Sequence, residues 1–286
     1  MKPRMIAFIT LLLCGPGLLH AWGDKAHRII NGTMLKTLPP ELKAYYAGRE
    51  DYLRDHASDP DTWRAHDRKE GPRHYVDSEI YGGADKVPLD IEQAIQQVGS
   101  KAFIKNGQLT WVIQDRWKDL VEAFQSGDRD KISFATAILG HYVGDAHVPL
   151  HSTRNHDGQE TGQKGVHSRW ETGLVERYVV EANLNVRPAK VDPDVMRAPW
   201  KWLRDSYALV PKVLASDKEA DRTTPNDRLD RLDHLDRRGT RRKGAYWPIF
   251  WAEQGEIVKQ RLEQSAEALG DLVLSAWMRA DKPVAK

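Results

Sequence analysis

The chain has 286 residues, with 43 Lys and Arg against 41 Asp and Glu. That length holds one large domain or two small ones, and the near balance of charge gives no electrostatic case for non-specific binding to duplex DNA or to an anionic membrane. Cys14 is the one cysteine, so the chain beyond it has neither a disulfide nor a thiolate, and any metal site there must be built from nitrogen and oxygen.

Residues 1–21 read as a secretory signal peptide. Lys2 and Arg4 supply the basic start, residues 5–13 the apolar core, and Ala21 the small residue at the cut. Cleavage there makes Trp22 the new N-terminus and predicts a secreted or periplasmic product with no transmembrane segment. From Trp22 onward the periodicity is helical. Residues 22–38 place Ala26, Ile29, Ile30, Met34 and Leu38 on one side, and Pro39-Pro40 stops the run. Short helices are expected at 41–47 and 51–56, and Asp59-Pro60-Asp61 reads as a helix start. Residues 69–89 hold two Pro and three Gly and read as loop. Residues 91–103, 108–124 and 128–143 read as helices, and 152–165 as a polar loop. Residues 167–180 and 192–214 read as further helices. Residues 216–243 are charged and poorly patterned, as solvated surface is. Residues 246–280 close the chain with a long amphipathic helix or helix pair. No run alternates as strands do, so residues 22–286 are expected to form a single all-α domain.

Within it, chemistry concentrates in residues 140–171. His141-x-x-x-Asp145 and His167-x-x-x-Glu171 each bring an imidazole and a carboxylate onto one helix face, a bidentate grip on a metal such as zinc. His151 lies between the two grips, which suggests a metal cluster. Upstream, Trp22 would carry a free α-amino group beside its own carbonyl, a five-membered chelate, with His27 close behind. Asp61 heads a helix and His74 sits in the next loop. Taken singly, each is matched by a plain alternative, a surface ion pair or a turn residue. His147 and His156 read as supporting or surface groups, Asp77 as a carboxylate that orients His74, and His56, His66 and His234 as surface. The tryptophans read mostly as core, with Trp247 and Trp251 able to touch lipid or a stacked base.

These pieces, with ASDPDTWR around Asp61, Arg73-His74-Tyr75-Val76-Asp77, GHYVGDAHVPLH and GVHSRWE, resemble the superfamily of zinc-dependent phospholipases C and the single-strand-specific zinc nucleases of fungi and plants. The resemblance implies an all-α fold enclosing a cleft with three Zn2+. One ion would be held by Asp61, His74, His141 and Asp145. A second would take the amino and carbonyl groups of Trp22, with His27 and a bridging Asp145. A third would take His151, His167 and Glu171. Asp59 is the rival for Asp61, which is preferred because Asp61-Thr62-Trp63-Arg64 follows the family's order. The implied chemistry is attack on phosphorus by a zinc-activated water, with Asp61 and Asp145 as catalytic carboxylates and Arg64 offsetting charge on the phosphoryl oxygens.

The substrate is then a phospholipid or a single-stranded nucleic acid, and the protein a monomer. Glu171 where the fungal nucleases usually carry Asp, the short loop between His151 and His167, and the lack of disulfides lead to phospholipase C-like headgroup cleavage. The close Trp22–His27 spacing and His74-Tyr75-Val76-Asp77 are nuclease-like, and make a single-strand-specific endonuclease, with nucleotide 3′-phosphatase activity, the alternative. A secreted zinc-binding module without turnover is the third reading. In the nucleases the acid at the place of Asp77 contacts a base.

Overall fold

The computed structural model describes residues 23–192, 194–224 and 244–281. The expected signal peptide, Trp22 and His234 lie outside the described residues. In chain order the helices are α1 (Asp24–Met34), α2 (Pro40–Lys43), α3 (Glu50–Asp55), α4 (Asp59–Trp63), α5 (Ile91–Val98), α6 (Ser100–Lys105), α7 (Leu109–Ser126), α8 (Arg129–Ala146), α9 (Val166–Ser168), α10 (Leu174–Tyr178), α11 (Ala198–Thr223) and α12 (Tyr246–Arg279). The described residues contain no strand, as the periodicity predicts, and no helix among them is long and apolar enough to cross a membrane.

α8 is the axis. Asp128 caps its start, accepting from the N–H groups of Asp130 at 2.9 Å and Lys131 at 3.2 Å. From Thr136 to Ala146 every residue is buried, as befits a helix surrounded by others. α1, α7, α11 and α12 pack around it. Gly140 and Gly144 let α1 come close: a Cβ on Gly140 would lie 2.0 Å from Asn31 Oδ1, and one on Gly144 would lie 3.1 Å from His27 Nδ1. The far end of α8 leaves carbonyls without helical partners. Ser206 donates to the Ala146 carbonyl at 2.6 Å, and the buried Arg261 donates Nε to the His147 carbonyl at 2.9 Å. Burial pulls the Arg261 pKa down to about 10. Both contacts hold the turn that carries Asp145.

Four expected elements differ from the sequence reading. Residues 91–103 form two helices because Gly99 (φ 84°) breaks the run. Residues 167–180 are interrupted by a π-turn at Arg169–Gly173. Residues 69–89 are three 3₁₀ turns rather than open loop. α11 begins later than residue 192 and runs into the stretch expected to be solvated, where Ser216 and Asp217 are buried. Ahead of it, residues 184–192 run as a strap along α12. The N–H groups of Asn185, Arg187, Lys190 and Asp192 donate in turn to Glu263 (2.8 Å), Glu267 (2.9 Å), Asp271 (2.7 Å) and Ser275 (3.1 Å), acceptors spaced one helical turn apart.

Candidate metal centre

The structure brings together every candidate donor that it describes. His27 comes from α1, Asp61 from α4, His74 from the 3₁₀ turn Gly71–His74, and His141 and Asp145 from α8. Two sets of donor atoms lie within 4.8 Å of one another: His27, Asp61 and His141, and His74, His141 and Asp145. His141 belongs to both, so these residues form one continuous cluster. His27 Nε2 is 3.6 Å from Asp145 Oδ1, and its ring stacks on His141 with centroids 4.0 Å apart. His151, His167 and Glu171 form a third set, with His167 Nε2 2.9 Å from Glu171 Oε2. The π-turn between His167 and Glu171 widens the helix without parting them. Asp59 lies outside these sets, 2.7 Å from His56.

The tautomers test whether the donors suit a cation. His141 Nδ1 is 2.9 Å from the Ala57 carbonyl, which can only accept, so the proton is on Nδ1 and Nε2 presents a lone pair. His74 turns Nε2 toward Glu70, 3.2 Å away, and Nδ1 inward. The two inward nitrogens, His141 Nε2 and His74 Nδ1, face each other at 3.0 Å. His74 Nδ1 also lies 3.0 Å from Asp145 Oδ2, so three buried donor atoms converge on a space that a shared cation would suit. His151 repeats the arrangement: its Nδ1 donates to the His74 carbonyl, and its Nε2 faces His167 Nε2 at 3.0 Å. Imidazole and carboxylate donors without thiolate suit zinc.

Electrostatics agree. Burial, then Asp61 and Glu171, push the Asp145 carboxyl well above the usual carboxylate range. Burial pulls His74, His141 and His151 below the ordinary imidazole value, which keeps them neutral, the form that binds metal. Arg64 Nη1 lies 3.2 Å from Asp61 Oδ1, and its charge acts on His74, His141 and Asp145.

The residue that faces His74 from behind is Glu70, not Asp77. Glu70 is buried, accepts from the Tyr142 hydroxyl, and pairs with Arg73 at 3.0 Å. Glu70-x-x-x-His74 has the same step of four as the other pairs, a signal that the sequence reading passes over. Asp77 is half-buried beside Tyr75. Burial, with help from Glu79 and Glu160, raises its pKa to about 7, against the pull of Arg154 and Lys105. The folded chain therefore holds a proton there that the unfolded chain releases near pH 4, so stability from this group is lost as pH rises through about 7. Asp77→Asn should show a smaller fall in melting temperature than the parent between about pH 5 and about pH 8.

The remaining aromatic and imidazole groups are sorted by the fold. Trp247 is 3 % exposed and lies under Arg177, whose Cζ is 3.6 Å from the ring centre, so it is core and not a contact for lipid or base. Trp251 stacks on Tyr178 at 4.9 Å. His147 is buried against Trp202, 5.2 Å between ring centroids, and its Nδ1 donates to the Val143 carbonyl at 2.7 Å. His156 lies 6.2 Å from the ring of His167, at the edge of the third set.

No curated protein matches the chain. Residues 22–230 match the S1/P1 Nuclease family, which lies within the superfamily of the zinc-dependent phospholipases C. With most of its length matched, and with buried imidazole and carboxylate donors gathered at its centre, the chain belongs to the S1/P1 nuclease family of zinc-dependent phosphodiester hydrolases.

Proposed function

We propose that the chain is an exported nuclease that hydrolyses single-stranded DNA or RNA at a centre of three zinc ions. The observation that carries this reading is the nuclease family match, which begins at residue 22, where signal cleavage is expected. It favours nucleic acid over the phospholipid headgroup, to which Glu171 and the short loop after His151 point. Asp61, His74, His141 and Asp145 would hold one ion. His27 and Asp145, with the amino and carbonyl groups of Trp22, would hold a second. His151, His167 and Glu171 would hold the third.

Zinc, when bound, supplies a Lewis acid and makes water a nucleophile at neutral pH. The chain's own groups do the rest. Arg64, partly exposed beside Asp61, meets the non-bridging oxygens and offsets their charge. Asp61 accepts the proton of the attacking water. The Ala57 carbonyl holds His141 with its Nε2 lone pair inward, and Glu70 stands behind His74, 3.2 Å from Nε2. Tyr75 and Asp77 stand beside one another next to this centre, a ring face and a hydrogen-bonding group suited to a base.

The test is parallel turnover by zinc-loaded protein that starts at residue 22. Single-stranded DNA and RNA should be cut while phosphatidylcholine is left intact. Release of phosphocholine with polynucleotide untouched would replace this reading with the phospholipase C one. Bound zinc with no turnover of either would favour a binding module.

A further inference from the structure

The segment that follows α6 is laced to the one that carries Tyr75 and Asp77. The Asp77 N–H donates to the Asn106 carbonyl at 2.8 Å, the Tyr75 hydroxyl to the Lys105 carbonyl at 2.9 Å, and the Leu109 N–H to the Tyr75 carbonyl at 3.2 Å. Gly107 (φ 100°) makes this seam possible, since a Cβ there would lie 2.0 Å from the Tyr75 oxygen.

An open groove of about 530 Å³ continues from this seam along α6, lined by Val98, Lys101, Ala102, Lys105 and Asn106, with no acidic side chain in its wall. Lys101 and Lys105 are exposed, and neither has an ion-pair partner among the described residues. They stand one turn apart on one face of α6, about 5–6 Å between Cβ atoms. Lys105 is also one of the charges that act on the Asp77 carboxyl. Two unpaired ammonium groups in a row, leading away from the acid assigned to a base, match the phosphate repeat of an extended single strand.

We propose that Lys101 and Lys105 form a phosphate track that holds the nucleotides of a single-stranded substrate beyond the one whose base meets Asp77. This rests on the nuclease reading above. The track adds affinity for long substrates and plays no part in the bond-breaking step, so a mononucleotide or dinucleotide does not reach it.

Each phosphate contact on a single strand contributes a slope of about −0.7 to the dependence of log affinity on log salt. The double variant Lys101→Gln/Lys105→Gln should therefore flatten the slope of log kcat/KM for a long single-stranded oligonucleotide by about 1.4. Between about 50 mM and about 200 mM salt, the parent should lose roughly sevenfold more kcat/KM than the variant. Hydrolysis of a dinucleotide should be the same in both. The charge reversals Lys101→Glu and Lys105→Glu should raise KM for the oligonucleotide and leave the dinucleotide unchanged. If the parent cuts the oligonucleotide and the variant keeps the parental salt slope, the track is refuted and the nuclease reading stands. If the parent cuts no polynucleotide at all, both fall.

Discussion

Replacing Asp145 by Asn is expected to cut turnover by more than about a hundredfold and to release more than one zinc ion per chain. The metal-free protein should be no less stable for the change. Loss of a group that only supports a ligand costs about 10–100-fold in affinity or activity, and a carboxylate that is itself the proposed ligand shared by two ions should exceed that. Asp145 has no exposed surface, lies 3.0 Å from His74 Nδ1 and 3.4 Å from His141 Nε2, and reaches His27 on its other oxygen. Without a cation its charge is a burden, since burial, Asp61 and Glu171 all disfavour it. A folded-state pKa above the unfolded one gives stability that is present at low pH and lost as pH rises through the raised value. Asn removes that loss. Metal analysis, turnover and melting of the zinc-free protein together decide the matter. Full zinc content with retained turnover would refute the sharing, and a large drop in zinc-free melting temperature would make Asp145 a structural residue instead.

The second large effect is expected away from the donors, at Asp217→Ala. Arg169 sits in the π-turn between His167 and Glu171, and its guanidinium is buried. Asp217 on α11 receives it in two bonds, 2.8 Å and 3.1 Å, and also accepts from Tyr246 and from Gln163 at 2.8 Å. Arg169 further donates to the Lys164 and Gln163 carbonyls at 3.0 Å each. One buried pair thus ties the loop between His151 and His167 to α11 and α12. Removing one partner leaves an unpaired buried charge, at a cost of about 3–5 kcal/mol. For a chain of this size that is a fall of roughly 6–20 °C in melting temperature. Zinc should leave the third set first. The double replacement Arg169→Met/Asp217→Leu should lose less stability than the single one, because no charge is stranded. Equal losses in the two proteins would show that the pair is packing and not charge.

The helices around the centre were legible because their apolar positions repeat with the helical period. α7, α8 and α12 fall close to where that pattern puts them. The break at Gly99 had a local signal, whereas the start of α11 is set from a distance. The late start of α11 follows from a strap whose partners lie on α12, and no local signal in residues 184–192 announces it. The same holds for Asp217, which reads as one acid in a charged run until Arg169 is brought against it from another part of the chain. In the centre, the steps of four at His141–Asp145 and His167–Glu171 could be read because both members share one local segment. Glu70 could have been found by the same rule. The roles of Ser206 and Arg261 could not, since they act on carbonyls, which carry no residue type.

The strap on α12 works as a vernier. Four residues of helix advance about 6 Å, and two residues of extended chain advance slightly more. The two rulers nearly coincide, so each turn of α12 offers its next acceptor where the strap offers its next inward N–H. Between Arg187 and Lys190 the strap takes three residues instead of two, at Pro188, which has no N–H to offer, and Ala189, which turns its own to Thr37. Length is therefore quantised within the two-residue steps, Asn185 to Arg187 and Lys190 to Asp192, and the odd residue is taken up at Pro188 and Ala189. A change of one residue inside either two-residue step would turn the next N–H away from its acceptor, whereas a change of two would shift the strap by one turn of α12 and restore the match.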